Sequence, residues 1–369
     1  MINGHGGNIY QLAHRLGCRP SDISDMSANV NPLGPMPELV DHLKSNLAAV
    51  ATLPEVDAGT TVAAFSRFYG IDPGQVVAGN GTTELIYRIP RALEAKNALV
   101  VGPTYSDYRD ACAMNRVHCD HLICREADDF VPDIQAIGQA AARADLVFIC
   151  NPNNPTGAIA RRVDIHDLCR SLPGTVFVID ESYLPFAPLP AQATMIGTDL
   201  PNVMVLNSMS KVFRIPGLRI GFVKAPAALM PQLAALALPW SVNSLAQVAV
   251  QWLMDRSELV ERLIASTRNM LDIEKRRIEE VFHQKNGTRC FPSATSFILM
   301  RLPEGLNAPT VWRYMADHRI LIRDCTNFTG LSDAFIRISL KSEMENRRAA
   351  GLLEQLIRNH RRRGNVDAN

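Results

Sequence analysis

Short, continuous apolar runs recur through the first two thirds of the chain, and each run is separated from the next by room for a helix or a loop. The runs cover residues 98–102, 121–124, 146–150, 176–179, 203–206 and 220–223. Continuous apolar runs of this kind are typical of strands that are buried on both faces of a sheet. Their spacing predicts βαβ units and a mostly parallel sheet.

The pattern changes beyond residue 239. One long helix is predicted by apolar residues at helical spacing, which are Val260, Leu263, Ile264, Leu271, Ile278 and Phe282. Strand-like runs follow at 296–300, 320–322 and 335–340, with a helix before the second run and another after the third. Ser342 and Glu345 have the spacing of a capping box at the start of that last helix.

The chain is therefore predicted to be an α/β protein in three parts. Residues 1–45 form an N-terminal segment that packs with the small domain, and residues 46–255 form the large domain. Residues 256–369 form a small C-terminal α/β domain.

Lys211 has the most specific chemistry in the sequence. It follows Ser208 and Ser210, and Arg219 comes later on the same segment. A lysine amine can bind an aldehyde covalently, while hydroxyls and a guanidinium can hold a phosphate dianion. Together these groups predict a pyridoxal phosphate site. Taken alone, the S-x-S-K string would fit a surface lysine in a serine-rich turn equally well.

Further segments place polar residues at predicted strand ends and at a helix start. Asn154 follows the strand at 146–150, and Asp180 ends the strand at 176–179. Strand ends are where an open α/β sheet binds ligands. Residues 81–83 begin a helix whose free N–H groups can bind phosphate. The alternatives are an ordinary Asn/Pro turn for Asn154 and a helix cap for Asp180.

These segments together resemble the aspartate aminotransferase (fold type I) family of pyridoxal-phosphate enzymes. The resemblance implies a large domain with a mostly parallel seven-stranded sheet, beside a small C-terminal α/β domain. It implies that Lys211 binds the cofactor covalently and that Asp180 keeps the ring nitrogen protonated, because an anion stabilises that cation in a buried site. It also implies that Tyr105 stacks on the cofactor ring and belongs with Lys211 and Asp180 to the catalytic residues. Asn154 and Tyr183 would form hydrogen bonds with the phenolic oxygen of the cofactor. The cofactor phosphate would be bound by Gly81, Thr82, Thr83, Ser208, Ser210 and Arg219.

Within this family the chain resembles the threonine-phosphate decarboxylases of cobalamin synthesis, a branch close to the histidinol-phosphate aminotransferases. The likeness extends over essentially the whole chain, and H-G-G-N at 5–8 and P-W-S-V-N at 239–243 favour this branch. The resemblance implies a small phosphorylated amino acid as substrate. Arg323 and Arg337 would hold its phosphate, and the remaining substrate contacts would be His5, Gly6, Asn29 and Asn154.

The arginine pair bears on the reaction because the substrate's orientation selects the bond that breaks. Guanidiniums that hold a phosphate cannot also hold the α-carboxylate in the plane of the cofactor ring. The C–COO⁻ bond is then free to stand perpendicular to the ring, which favours decarboxylation. The alternatives are transamination of the histidinol-phosphate type, decarboxylation of phosphoserine or a phosphonate analogue, and a non-catalytic sensor of the cofactor.

Some positions depart from the family pattern. Leu53 stands where the family usually has a tyrosine that reaches the cofactor phosphate of the partner subunit. Residues 295–297 read Thr-Ser-Phe in place of the customary Ala-Asn-Phe. Tyr183 is the usual transaminase residue and does not favour decarboxylation. These departures leave the exact substrate more open than the cofactor.

Composition narrows the class of protein further. The 369 residues carry a formal net charge of +1, which predicts no attraction to nucleic acid or to membranes. Eight cysteines without a C-x-x-C motif, and a start without a signal sequence, predict a reduced, cytoplasmic enzyme. His118, Cys119, His121 and Cys124 alternate as in a strand, so no metal is predicted. A homodimer is implied by the resemblance alone.

Overall fold

The structure is a computed structural model that describes residues 7–282 and 287–366. Its strands are β1 (Ser24–Asp25), β2 (Val76–Gly79), β3 (Asn97–Gly102), β4 (His118–Ile123), β5 (Leu146–Cys150), β6 (Val176–Asp180), β7 (Val203–Ser208), β8 (Gly221–Lys224), β9 (Arg289–Cys290), β10 (Phe297–Arg301), β11 (Ile320–Leu321), β12 (Arg323–Asp324) and β13 (Phe335–Ser339). Its helices are α1 (Ile9–Leu16), α2 (Pro37–Ser45), α3 (Gly59–Tyr69), α4 (Gly81–Ala92), α5 (Asp107–Met114), α6 (Ile134–Ala141), α7 (Arg162–Ser171), α8 (Pro190–Ala193), α9 (Met209–Val212), α10 (Met230–Ala235), α11 (Ser244–Met254), α12 (Ser257–Phe282), α13 (Ala308–Asp317) and α14 (Glu343–Val366).

A seven-stranded sheet in the order β2-β8-β7-β6-β5-β3-β4 forms the centre of the large part of the chain. Strand β8 pairs antiparallel with β2 and with β7, and the remaining pairs in this sheet are parallel. The prediction of a mostly parallel α/β sheet is therefore confirmed. The polar residues that follow the parallel strands meet at one edge of the sheet, because the carboxyl ends of parallel strands lie on the same side.

Helices cover both faces of this sheet, which explains its continuous apolar runs. On β5, Val147 and Ile149 pack into one hydrophobic cluster with Phe65 of α3. Leu146 and Phe148 point to the opposite face and pack into a second cluster with residues of α4 and α5. Successive side chains of a strand alternate between faces, so a strand that is buried on both faces has no polar alternation.

A second sheet in the order β12-β13-β10-β9 is antiparallel throughout. The 26 residues of α12 form the long helix predicted from the apolar stripe. Ser342 and Glu345 form the predicted capping box: the Ser342 N–H donates to Glu345 Oε2 at 3.2 Å, and the Glu345 N–H donates to Ser342 Oγ at 3.4 Å.

The N-terminal segment pairs with the C-terminal part of the chain. Strand β1 runs parallel to β11, with Ser24 opposite Ile320 and Asp25 opposite Leu321. The run at 320–322 therefore joins the N-terminal segment, whereas β12 and β13 belong to the antiparallel sheet. The division at residues 45 and 255 stays a prediction.

The sequence pattern missed the short strands β1, β2, β9 and β12. Each has only two to four residues, which is too short for a period to emerge. Where the chain is described, the helices are too short or too polar to cross a bilayer.

Candidate active site

Lys211 lies on α9, the short helix that follows β7 at the ligand-binding edge of the sheet. The N-terminal segment holds this helix, because the Asn31 N–H donates to the Lys211 carbonyl at 2.9 Å. Burial, together with the positive charges of Arg219 and Arg337, lowers the pKa of Lys211 to about 8. Roughly a tenth of this amine is therefore neutral, and so nucleophilic, at pH 7.

Asp180 ends β6 and forms the anionic part of the same cavity. Its carboxylate accepts from the Tyr108 hydroxyl at 2.8 Å and from the Ser182 N–H at 2.9 Å. Burial raises the pKa of Asp180, while the two donors act in the opposite direction. No lysine or arginine of the described chain lies within ion-pair distance of it. A cationic ring nitrogen would supply the missing counter-charge.

The start of α4 and Arg219 form one corner of the cavity. Gly81 has a φ of +77°, and a Cβ placed there would lie 2.5 Å from an Arg219 terminal nitrogen. Gly221 permits a second close approach, since its Cβ would lie 2.6 Å from the Thr82 nitrogen. The buried Ser210 hydroxyl has no hydrogen-bond partner among the described residues. These donors fit a phosphate group.

We expect Gly81→Ala to weaken cofactor binding. The new methyl group would push Arg219 out of the corner, and a positive φ strains alanine by about 1–3 kcal/mol. The dissociation constant for pyridoxal phosphate should rise by about tenfold or more. Fluorescence titration of the apoprotein measures it. Gly351→Ala in α14, where a Cβ meets nothing within 4 Å, should leave it unchanged.

The predicted cofactor residues other than Gly81 line a single inner cavity, and Gly81 lies beside it against Arg219. The lining of this cavity includes Thr82, Thr83, Tyr105, Asn154, Asp180, Tyr183, Ser208, Ser210, Lys211 and Arg219. A larger outer cleft of about 680 Å³ adjoins it and shares Tyr105, Asn154, Tyr183 and Lys211 with it. The outer cleft also contains the predicted substrate residues Asn29, Arg323 and Arg337. His5 and Gly6 lie outside the described residues.

Asn154 connects the two cavities. Its Oδ1 accepts from Arg337, whose other terminal nitrogen donates to the Ser27 carbonyl at 2.8 Å. This orientation leaves the Asn154 Nδ2 without a partner among the described residues, so it remains available as a donor to the inner cavity. The Tyr183 hydroxyl accepts from Asn29 at 3.3 Å.

Arg323 and Arg337 are directly opposed on neighbouring strands, β12 and β13. Arg337 packs over the Phe297 ring at 5.0 Å, and Arg323 over the Phe328 ring at 4.9 Å. Burial lowers the pKa of Arg337 to about 10 and lowers that of Arg323 as well. Like charges on opposed residues repel each other, and in the described chain neither arginine is paired with a carboxylate within 4.0 Å.

Sequence reasoning missed Tyr108 and Lys341. Tyr108 is fully buried beneath Tyr105, with ring centroids 5.8 Å apart, and it holds the carboxylate of Asp180. A tyrosine one helical turn after Tyr105 was the available signal. Lys341 lines the outer cleft, and its signal was the alternation of polar residues after Arg337.

Comparison with known proteins agrees with this geometry. Residues 21–353 match the family model described as aminotransferase class I and II. The chain belongs to this family. Its cofactor is accordingly pyridoxal 5'-phosphate, and Lys211, Asp180 and the phosphate corner fit it.

Relatives with different activities are similarly close. A threonine-phosphate decarboxylase from Salmonella typhimurium is 30% identical over 360 residues, which cover 96% of this chain and 97% of that protein. A histidinol-phosphate aminotransferase from Symbiobacterium thermophilum is 31% identical over 357 residues and 95% of each chain. The adenosylcobalamin biosynthesis bifunctional protein CobDQ from Leptospira interrogans is 29% identical over 97% of this chain, which spans 42% of that longer protein.

The crystal structure of L-threonine-O-3-phosphate decarboxylase from Porphyromonas gingivalis superposes with a TM-score of 0.80 at 29% identity. The match covers 90% of this chain and 99% of that chain. The fold prediction is confirmed, and the chemistry is that of a pyridoxal-phosphate enzyme.

Proposed function

We propose that this enzyme decarboxylates L-threonine O-3-phosphate, releasing carbon dioxide and (R)-1-amino-2-propanol O-2-phosphate. The proposal is carried by Arg323 and Arg337, which are directly opposed beside the cleft that leads to Lys211. The relatives named as threonine-phosphate decarboxylases support it.

The two arginines favour a phosphate over a neutral group. Arg337 is only 4% exposed, and its Nε has no partner among the described residues. A buried cation without a counter-charge is costly, and a dianion that accepts from both guanidiniums removes the cost. A phosphate monoester carries that charge and has oxygens for bidentate contacts.

The position of the phosphate selects the bond that breaks. With Arg323 and Arg337 occupied by the phosphate, neither is left to hold the α-carboxylate in the ring plane. The C–COO⁻ bond can then stand perpendicular to the cofactor ring, which serves as the electron sink when bound. Carbon dioxide leaves, and the carbon atom requires a proton in its place.

Lys211 is the residue that returns this proton. Lys211 lines both the inner cavity and the outer cleft. A pKa of about 8 suits an amine that must both hold and release a proton near neutral pH. Asp180, held by Tyr108 and Ser182, keeps the ring nitrogen protonated throughout.

Carbon dioxide release decides between the two leading reactions. We expect the holoenzyme to release one carbon dioxide for each L-threonine O-3-phosphate consumed, measured with substrate labelled in the carboxyl group. Release should not depend on added 2-oxoglutarate. Formation of glutamate from 2-oxoglutarate without carbon dioxide would instead assign a transaminase.

The transaminase of the histidinol-phosphate type stays the second candidate, because Tyr183 is the usual transaminase residue and the aminotransferase relatives are as close. Phosphoserine and histidinol phosphate are therefore the competing substrates in the same assay. The ratio of kcat/KM values ranks them directly.

We also propose that the enzyme forms a homodimer. Exposed apolar side chains at Leu47, Val50, Leu53 and Val56 lie along one segment, and the Trp240 N–H donates to the Val56 carbonyl beside it. A second copy of the chain would cover this surface. Leu53 has no hydroxyl, so this position cannot donate to a partner's phosphate. A cytoplasmic location and a role in cobalamin synthesis stay predictions.

A further inference from the structure

The chain that leaves β13 presents a third cation, Lys341, to the outer cleft. Side chains two apart on an extended chain face the same side, and Arg337, Ser339 and Lys341 follow this spacing. All three contact residues 27–29 of the N-terminal segment: Arg337 donates to the Ser27 carbonyl, Ser339 to the Asn29 side chain, and Lys341 to the Ala28 carbonyl at 2.9 Å.

Adjacent carbonyls thus hold the charged ends of Arg337 and Lys341. Arg337 and Lys341 both line the outer cleft, and they contact the neighbouring residues Ser27 and Ala28 in its wall. An ammonium has three donors, and the Ala28 carbonyl takes one of them. In the described chain the remaining two have no hydrogen-bond partner.

The carboxylates near Lys341 are engaged elsewhere. Asp25 accepts from the Ser27 hydroxyl at 2.7 Å and from backbone N–H groups of the same turn. Glu345 accepts from the hydroxyls of Ser24 and Ser342. Within residues 7–282 and 287–366, no carboxylate lies within 4.0 Å of the Lys341 Nζ. Lys341 is 6% exposed, so its charge is both buried and unpaired.

We propose that Lys341 is a substrate-binding residue and that its ammonium donates to the same phosphate group as Arg323 and Arg337. The proposal deepens the proposed function, since it rests on a phosphorylated substrate in the outer cleft. It does not depend on which bond the enzyme breaks. A dianion at this position satisfies both free donors of Lys341 and offsets the repulsion between the three cations.

The lysine also makes phosphate binding depend on pH. Burial and the positive charges of Arg214 and Arg337 lower the pKa of Lys341, whereas the negative charges of Asp25 and Glu345 raise it. The net result is a pKa of about 8. Of the acidic groups, Asp25 lies on β1 and Glu345 on α14. Of the basic groups, Arg214 follows α9 and Arg337 lies on β13. A phosphate dianion favours the protonated amine, so affinity should fall as pH rises through about 8.

The probe is 3-phosphoglycerate, which carries a phosphate and a carboxylate but has no amine to react with the cofactor. Its dissociation constant is measured by calorimetry with the holoenzyme, so the result does not depend on catalysis. Lys341→Gln is the main variant, because its amide can still donate to the Ala28 carbonyl while the charge is lost. We expect its dissociation constant to be about tenfold higher than that of the wild type.

Lys341→Arg and Lys44→Gln are the controls. The arginine variant keeps a positive charge at all accessible pH values, so it should retain affinity at about pH 9, where the wild type loses it. Lys44 is an exposed lysine paired with Asp41 on α2, and its substitution should change nothing. Inorganic phosphate, tested in the same way, should show the same loss in Lys341→Gln.

Unchanged affinity of Lys341→Gln for 3-phosphoglycerate would overturn the proposal. So would a loss that inorganic phosphate does not share, since Lys341 would then contact the carboxylate. If the glutamine variant does not fold, proton uptake by the wild type on binding at about pH 8.5 decides the matter, and zero uptake contradicts the proposal. Absence of carbon dioxide release with intact Lys341-dependent binding would reject only the decarboxylase.

Discussion

Replacing Lys211 with alanine is expected to remove the covalent link to the cofactor and to lower turnover by about 10⁴-fold or more. The amine is positioned by α9 and by the Asn31 contact to its backbone, and its pKa of about 8 suits a nucleophile. Noncovalent contacts remain, because the phosphate corner around Gly81 and Arg219 is untouched. The variant should bind the cofactor and lack the absorbance of the linked form.

A second buried lysine provides the matched control. Lys224 on β8 is 4% exposed, and its amine donates to the Thr198 carbonyl, away from the lining of both cavities. Lys224→Met should lose stability but keep the covalent cofactor and the turnover number. Millimolar methylamine should restore part of the activity of Lys211→Ala. Equal turnover in Lys211→Ala and the wild type would show that this lysine is misassigned.

Most of the inner cavity could be predicted from the sequence because its residues, apart from a few such as Tyr108, belong to local motifs. Lys211, Asp180 and Asn154 each follow a strand that reads as a continuous apolar run. The parallel sheet then brings the three strand ends together without further information. The local motifs therefore identify the functional groups, and the sheet brings these groups close to one another.

The outer cleft required the structure. Arg323 and Arg337 are opposed only because β12 pairs with β13 in one register, and β12 is too short for its pattern to be recognised. The contact between Lys341 and Ala28 joins residues more than 300 positions apart. No local pattern contains such a pairing, although the spacing of two from Arg337 through Ser339 to Lys341 already indicates that these side chains share one side of the chain.

Tyr108 illustrates a different limit. It lies on α5 and is buried among apolar side chains, so its position in the sequence is that of an ordinary core residue. Its hydroxyl reaches Asp180 because Tyr108 lies in the first turn of α5, shortly after the carboxyl end of β3. A contact that depends on how a helix packs against a sheet can be identified only from the three-dimensional structure.

Arg337→Ala is expected to weaken substrate binding far more than cofactor binding. Its guanidinium contacts Asn154 and the Ser27 carbonyl and faces the opposed Arg323, whereas the inner cavity is completed by other residues. Removing one partner of a buried charge-assisted contact costs about 2–5 kcal/mol, so kcat/KM for threonine phosphate should fall by about 30-fold or more. The dissociation constant for pyridoxal phosphate should change by less than about threefold, which is ~0.6 kcal/mol.

A second substitution at position 337 distinguishes the effect of the positive charge from that of the guanidinium geometry. Arg337→Lys keeps the positive charge but lacks the planar fork that binds two phosphate oxygens, so its kcat/KM should lie between those of the wild type and Arg337→Ala. Arg301 on β10 is a surface residue 3.4 Å from Glu126, and Arg301→Ala should behave like the wild type. Cofactor and substrate affinities that fall in parallel in Arg337→Ala would mean that this arginine supports the cavity as a whole, and that the phosphate is held elsewhere.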